Sequence, residues 1–304
     1  MTRALALGGI LAGGALSIVA AAYQAPQGTL PAAALDATKI EKVKDNLYII
    51  TGSSPANRDA FSGGNTAVFI TDTGVVLVDT KLAGWGQVIL DKVKTVTSKP
   101  VTTIINTHTH GDHTGSNSFF GPTVDIVAHE NTKTNMAKMD AFKGDKAAFL
   151  PKRTFRDKTT IGSGKNEIDL YYFGRGHTNG DAWIVFPALR VMHTGDMFAW
   201  KDAPTLDANN GGSGVEYAAT IGKALATVKN VDTLIVGHSP LRTVPELKEY
   251  QQFMTDFVAA VREAKAAGKS VDDAAGSINL SAKYKGYENQ RYKAAIQVVY
   301  NEIK

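Results

Sequence analysis

Apolar residues recur along this chain in two rhythms. Short runs rich in valine, isoleucine and aromatic residues stand between turn-forming residues, and longer stretches repeat an apolar residue every three or four positions. The first rhythm predicts strands over NLYIITG (46–52), VTTIINT (101–107), DIVAHE (125–130), EIDLYYFG (167–174), DAWIVFP (181–187), RVMHTGD (190–196) and DTLIVGH (232–238). NTAVFITDTGVVLVDT (65–80) reads as two strands around Thr71-Asp72-Thr73-Gly74, hence a hairpin. The second rhythm predicts helices near 85–98, 131–142 and 216–229. A further helix starts at Thr243, where Glu246 follows three residues on and Pro245 lies between. It aligns Leu247, Tyr250, Met254, Phe257, Val258 and Val261 on one stripe and stops at Gly268. The last thirty residues read as helical or irregular and carry no nameable motif. Two β-rich halves, each with helices and no linker between them, predict one α/β domain over 40–304, with two sheets covered by helices on the outside.

Composition narrows this picture. At 304 residues and 43% hydrophobic, the chain has enough apolar material for a large core, and 20% charged residues is not a disordered composition. A net charge of +4, spread along the chain, does not call for a nucleic-acid partner. The densest basic group is Lys143, Lys146, Lys152, Arg153, Arg156 and Lys158, read as a solvated, irregular connection, with an anion-binding lid as the alternative. The chain has no cysteine, which excludes disulfides, thiolate metal sites and a cysteine nucleophile. Arg3 precedes an uncharged apolar run, residues 4–22, that ends in Ala20-x-Ala22. This reads as a secretory signal peptide over 1–25, cleaved near Ala22 or Ala25, and implies a periplasmic or secreted protein with no stable membrane association after cleavage. A membrane anchor is the alternative. Residues 26–39 read as a flexible lead-in.

Candidate chemistry concentrates in NTHTHGDHTG (106–115), which holds three of the seven histidines. The predicted strands end at or just before His108, His177, Asp196 and His238, so polar residues from separate strands can meet in one cleft. Without thiolates the donors are nitrogen and oxygen only, a set that suits zinc. His108, His110, Asp112 and His113 crowd one tight loop, with Gly111 allowing the bend. Four such donors sit more easily around two ions than around one, and His177, Asp196 and His238 are available to complete them. His129 and His193 lie inside strand-like runs without clustered partners and read as ordinary packed histidines.

The ordered set THTHGDH (107–113), GHTNGD (176–181), TGD (194–196) and GHS (237–239), with GGNTAVFITDTGVVLVDT (63–80) upstream, resembles the metallo-β-lactamase-fold hydrolases. The resemblance covers roughly 40–240 and implies a four-layer αβ/βα sandwich with a metal cleft along one edge of its two mixed sheets. It implies two zinc ions, with iron or manganese as alternatives. His108, His110 and His177 would hold the first, Asp112, His113 and His238 the second, and Asp196 would bridge them. The zinc β-lactamases carry cysteine where Asp196 stands, so this chain is more similar to the all-His/Asp members, among them glyoxalase II and lactonases. The reaction so implied is attack of a metal-bridging hydroxide on an ester, thioester, lactone or lactam carbonyl of a small-molecule substrate, with Asp112 as the catalytic proton shuttle. Asp79 and Asp181 are candidate outer partners of the ligand imidazoles, Asp79 equally a strand-end cap. In SSPANRDAFSGG (53–64), Phe61 is a candidate apolar contact to substrate, or part of a plain connecting loop. Arg242 is a candidate partner for a substrate carboxylate, or an ordinary surface arginine. LDANNGGSG (206–214) is a polar connection that could line the cleft. The rival functions are an iron-dependent oxidoreductase of the same fold and a phosphodiesterase or nuclease-like hydrolase. Oligomeric state is left open.

Overall fold

A computed structural model describes residues 29–304. The expected signal peptide and its cleavage points lie outside the described residues. The strands are β1 (Ile40–Lys44), β2 (Leu47–Ile50), β3 (Thr66–Ile70), β4 (Val75–Val78), β5 (Val101–Ile105), β6 (Asp125–His129) and β7 (Arg153–Phe155), then β8 (Lys158–Ile161), β9 (Ile168–Tyr172), β10 (Ala182–Phe186), β11 (Val191–His193), β12 (Thr233–Ile235) and β13 (Arg242–Thr243). The helices are α1 (Ala32–Ala37), α2 (Gly86–Lys94), α3 (Gly111–Thr114), α4 (Glu130–Met136), α5 (Gly214–Thr227), α6 (Val244–Ala266), α7 (Val271–Ser277) and α8 (Tyr292–Glu302). β1 to β7 form one sheet in chain order, antiparallel as far as β4 and parallel from β4 to β7. The second sheet runs β13-β12-β11-β10-β9-β8 and is antiparallel except for the β11–β12 pair.

The apolar runs of β3, β4 and β10 are buried on both faces, which is why they read as continuous rather than alternating. Ala67, Phe69, Val76 and Val78 pack inward against Ile184, Phe186 and Leu170 of the other sheet. Val68, Val75 and Leu77 point outward and pack with Ile89 and Val93 of α2. Trp183 and Val185 point outward from the second sheet into a larger cluster with Tyr217 and Ile221 of α5, Phe253 and Phe257 of α6, and Ile296 and Val299 of α8. The order is therefore helix, sheet, sheet, helix, the expected four-layer sandwich. The expected capping box at Thr243 and Glu246 is formed, and Gly268 follows the helix in the left-handed region (φ +74°).

Three expectations change. The lead-in is not loose throughout: residues 32–37 are the helix α1, with Ala34 buried and Thr38 Oγ1 donating to Ser62 Oγ at 2.8 Å. The basic stretch is not irregular throughout, because Arg153–Phe155 and Lys158–Ile161 are edge strands of the two sheets. Their exposed cationic side chains suit an edge, where charge discourages pairing with another chain. Asp196 and His238 lie beyond the ends of β11 and β12, in the turns that follow those strands.

Candidate metal centre

The parallel register of β4 and β5 sets Asp79 beside Thr107. Asp79 N donates to Ile105 O at 2.9 Å, and Thr107 N donates to Asp79 Oδ1 at 2.8 Å. Asp79 adopts a left-handed backbone (φ +65°), which asparagine and aspartate tolerate best among residues with a Cβ. From Thr107 the chain enters the short turn α3, with His110 extended at its start. Consecutive residues on this turn diverge, so His113 points inward and is fully buried while Asp112 faces the cleft. Two glycines let the walls close in. A Cβ on Gly64 would lie 2.2 Å from His113 Cε1, and one on Gly237 would lie 1.9 Å from Asp196 Oδ1.

Seven expected donors converge. His110 Nδ1 is 3.2 Å from His108 Nε2 and 2.9 Å from His177 Nε2. His238 Nε2 is 3.2 Å from His113 Nε2 and 3.3 Å from Asp112 Oδ2. Asp196 reaches both groups: its Oδ1 is 3.4 Å from His113 Nε2, and its Oδ2 is 3.3 Å from His238 Nε2 and 3.7 Å from His177 Nε2. His108, His110 and His177 form one trio that could hold a cation; Asp112, His113 and His238 form another.

The outer hydrogen bonds fix which nitrogen of each ring carries its proton. Thr107 Oγ1 donates to Asp79 Oδ2 at 2.7 Å, so it accepts from His108 Nδ1 at 2.9 Å. His113 Nδ1 donates to Asp79 Oδ2 at 2.7 Å, His110 Nε2 to Asp207 Oδ2 at 2.7 Å, and His177 Nδ1 to Thr205 O at 2.6 Å. Each of these four rings thereby presents its other nitrogen to the centre, as a lone pair wherever that nitrogen carries no proton. Lone pairs facing each other at about 3 Å repel unless a cation lies between them. Two ligands bonded at 2.0–2.1 Å to one tetrahedral ion are separated by about 3.3 Å, which matches the spacing here. Asp196 Oδ1 is buried without a hydrogen-bond partner among the described residues, which also suits a cation. The donor set therefore fits two divalent ions.

Charge divides the cluster. Burial, reinforced by His113 and His177, pushes His108 well below the usual histidine value, and burial with His110 lowers His177. Burial also opposes charge on His113, but Asp196, Asp112 and Asp79 outweigh it and raise it to about 10. Against burial, His113 and His238 hold the Asp112 carboxyl below the usual range. In the metal-free protein His113 thus favours a proton where an ion would bind, and a cation there would displace it.

Asp79 touches a cluster imidazole as expected. Asp181 does not: its carboxylate accepts from Thr178 N at 2.8 Å and Thr178 Oγ1 at 2.6 Å, folding the loop after His177. Asp207 instead grips His110, and it lies in the glycine-rich stretch expected only to line the cleft. Arg242 is committed to Glu246 at 3.2 Å in the first turn of α6 and does not line the cavity beside Asp112. Phe61 does line that cavity, of about 540 Å³, with Pro55, Leu82, Met139 and Phe142, and its ring centroid is 5.7 Å from that of His238. His129 and His193 stay outside the cluster: His129 Nδ1 accepts from Asn131 N and His193 Nδ1 from Gly195 N. Asn65 has no expected role, yet it joins the two halves. Its N donates to Gly237 O at 2.7 Å, and its Nδ2 donates to Val236 O at 2.7 Å and Ser239 O at 2.9 Å.

The chain is similar to known proteins in sequence and in fold. The sequence profile of the metallo-beta-lactamase superfamily matches residues 60–238. The metallo-beta-lactamase type 2 of Elizabethkingia meningoseptica is 27% identical over 228 residues, covering 70% of this chain and 86% of that protein. The alpha subunit of the 2,4-dinitroanisole O-demethylase of Nocardioides sp. (strain JS1661) is 33% identical over 132 residues, 41% of this chain and 38% of that one. A solved metallo-beta-lactamase from Pontibacter korlensis superposes with a TM-score of 0.61 at 20% identity, covering 72% of this chain and 99% of that chain, a likeness of fold.

Proposed function

The chain belongs to the metallo-beta-lactamase superfamily, and from that premise we propose that it is a secreted or periplasmic dinuclear zinc hydrolase of ester, thioester, lactone or lactam bonds. The observation that carries this is the convergence of seven nitrogen and oxygen donors into two trios bridged by Asp196, beside a cavity. His108, His110 and His177 would hold one ion, Asp112, His113 and His238 the other, and Asp196 both. When bound, the ions would supply Lewis acidity and would acidify water at the site.

The protein supplies the rest. Asp112 belongs to both the second trio and the cavity wall, so its carboxylate is placed to take a proton and pass it to the leaving group. Among the cavity's lining residues Asp112 is the one charged side chain, and Phe61, Leu82, Met139 and Phe142 make its surroundings apolar. The group next to the scissile carbonyl is therefore expected to be apolar and uncharged. Residues 1–25 are proposed as a signal peptide, which the N-terminal residue of the mature protein tests.

The test is metal content, followed by turnover of esters, thioesters, lactones, lactams and phosphodiesters with and without chelator. The expected result is about two zinc ions per chain and carbonyl hydrolysis that chelator abolishes and zinc restores. Turnover indifferent to chelator, phosphodiester turnover alone, or iron with redox activity would overturn the proposal.

A further inference from the structure

His238 is held differently from the other four imidazoles. His108, His110, His113 and His177 each engage an oxygen through the ring nitrogen that faces away from the centre. The corresponding atom of His238, Nδ1, is buried and has no hydrogen-bond partner among the described residues. Its ring lies instead against two aromatic rings, Phe61 at 5.7 Å between centroids and Trp200 at 5.5 Å. A hydrogen bond to the far nitrogen normally orients a ligand imidazole and raises its basicity. Among the described residues His238 has only ring packing for that purpose.

Trp200 is itself fixed from the end of the chain. Its Nε1 donates to Ala203 O at 3.2 Å, and the Arg291 guanidinium lies 3.7 Å from its ring centroid. Arg291 is anchored to the buried carboxylate of Asp202, through Nη1 at 3.5 Å and its backbone N at 3.3 Å. Glu288 N donates to Lys201 O at 2.8 Å, and Lys201 Nζ stands 5.6 Å from the Tyr287 ring. Residues 287–291 thus strap down the loop that carries Trp200, and they lie well past residue 238, where the superfamily match ends.

We propose that Trp200, backed by Arg291, is a positioning residue that orients His238, so that the C-terminal segment tunes the Asp112–His113–His238 site separately from the other. This rests on the two-ion reading of the cluster, not on the identity of the substrate. It is tested by titrating metal-free protein with cobalt(II), reading the stepwise affinities, the ligand-field absorption and the quenching of tryptophan fluorescence. The variants are Trp200→Ala, Trp200→Phe and Arg291→Ala, with Arg190→Ala, which breaks an exposed pair with Asp232, as control. In Trp200→Ala and Arg291→Ala the first ion is expected to bind as in wild type, and the second at least about tenfold more weakly. Trp200→Phe restores most of the loss, and the control matches wild type. Arg291→Ala leaves the indole in place and decides the matter if Trp200→Ala folds poorly. Unchanged second-ion affinity in Arg291→Ala, equal weakening of both ions, or wild-type protein that binds a single ion overturns the inference. Wild-type protein that binds two ions yet hydrolyses none of the carbonyl substrates fails the proposed function; the inference then stands if the second ion alone weakens.

Discussion

Asp112 shows how much one position on a tight turn determines. Its neighbour His113 is fully buried against Asp79, while Asp112 faces the cavity, 3.3 Å from His238. Asp112→Asn keeps the shape but cannot carry a proton. Circular dichroism should be unchanged and kcat should fall by at least about 100-fold on any carbonyl substrate the wild type turns over; wild-type turnover would remove the shuttle role. Gly237 matters for the opposite reason, the side chain it lacks. A Cβ there would lie 1.9 Å from Asp196 Oδ1, so Gly237→Ala should displace the proposed bridging carboxylate. The variant is expected to bind fewer than two ions by elemental analysis, while its metal-free form melts close to metal-free wild type. Full metal content would show that the bridge tolerates displacement.

At the scale of elements, strands place the donors and loops close over them. The loop between β2 and β3 carries Phe61, and both its ends are tied to Lys81, whose Nζ lies 2.7 Å from Thr51 O and 2.9 Å from Gly64 O. Burial drives this lysine from 10.5 down to about 7, against the pull of Asp112 and Asp79. A neutral amine still has two N–H groups for the two carbonyls. Between pH 7 and 10.5 the unfolded chain holds a proton that the folded chain has released. This contribution is therefore fully present above 10.5 and is lost as pH falls through 7. The stability of wild type relative to Lys81→Met should rise with pH in that window, by up to about 1.4 kcal/mol per pH unit. Urea unfolding of both proteins at several pH values reads this; a constant difference would mean that Lys81 stays charged when folded. Elements were legible in the sequence where burial on two faces made long apolar runs, as in β3, β4 and β10. They were not legible in β7 and β8, where short polar edge strands take their pairing from the sheet rather than from their own residues.

In the whole molecule the two halves meet at the centre. His108 to His113 follow the first sheet, His177, Asp196 and His238 follow the second, and Asn65 bonds one to the other. Ions bound by both halves would bind the folded chain and not the unfolded one. With free zinc at about 1,000 times its dissociation constant this adds about 4 kcal/mol, so a chelator should lower the melting temperature by roughly 10 °C in a single transition. No shift in scanning calorimetry would contradict a stabilising metal centre. The seven candidate donors could be picked out in the sequence because each follows a strand in a compact motif. Asp207, 97 residues from His110, and Asn65, 171 residues from Val236, could not, because nothing local marks a partner that only folding brings near. Asp181 is a different case: its partner Thr178 is close in sequence, and this local turn takes up the carboxylate that was expected to reach an imidazole.

The most direct test is anomalous diffraction at the zinc edge from zinc-loaded crystals. The account predicts two peaks, one at about 2.0–2.1 Å from nitrogens of His108, His110 and His177 and the other among Asp112, His113 and His238, with Asp196 reaching both. A single peak, or peaks outside this group of side chains, would contradict it.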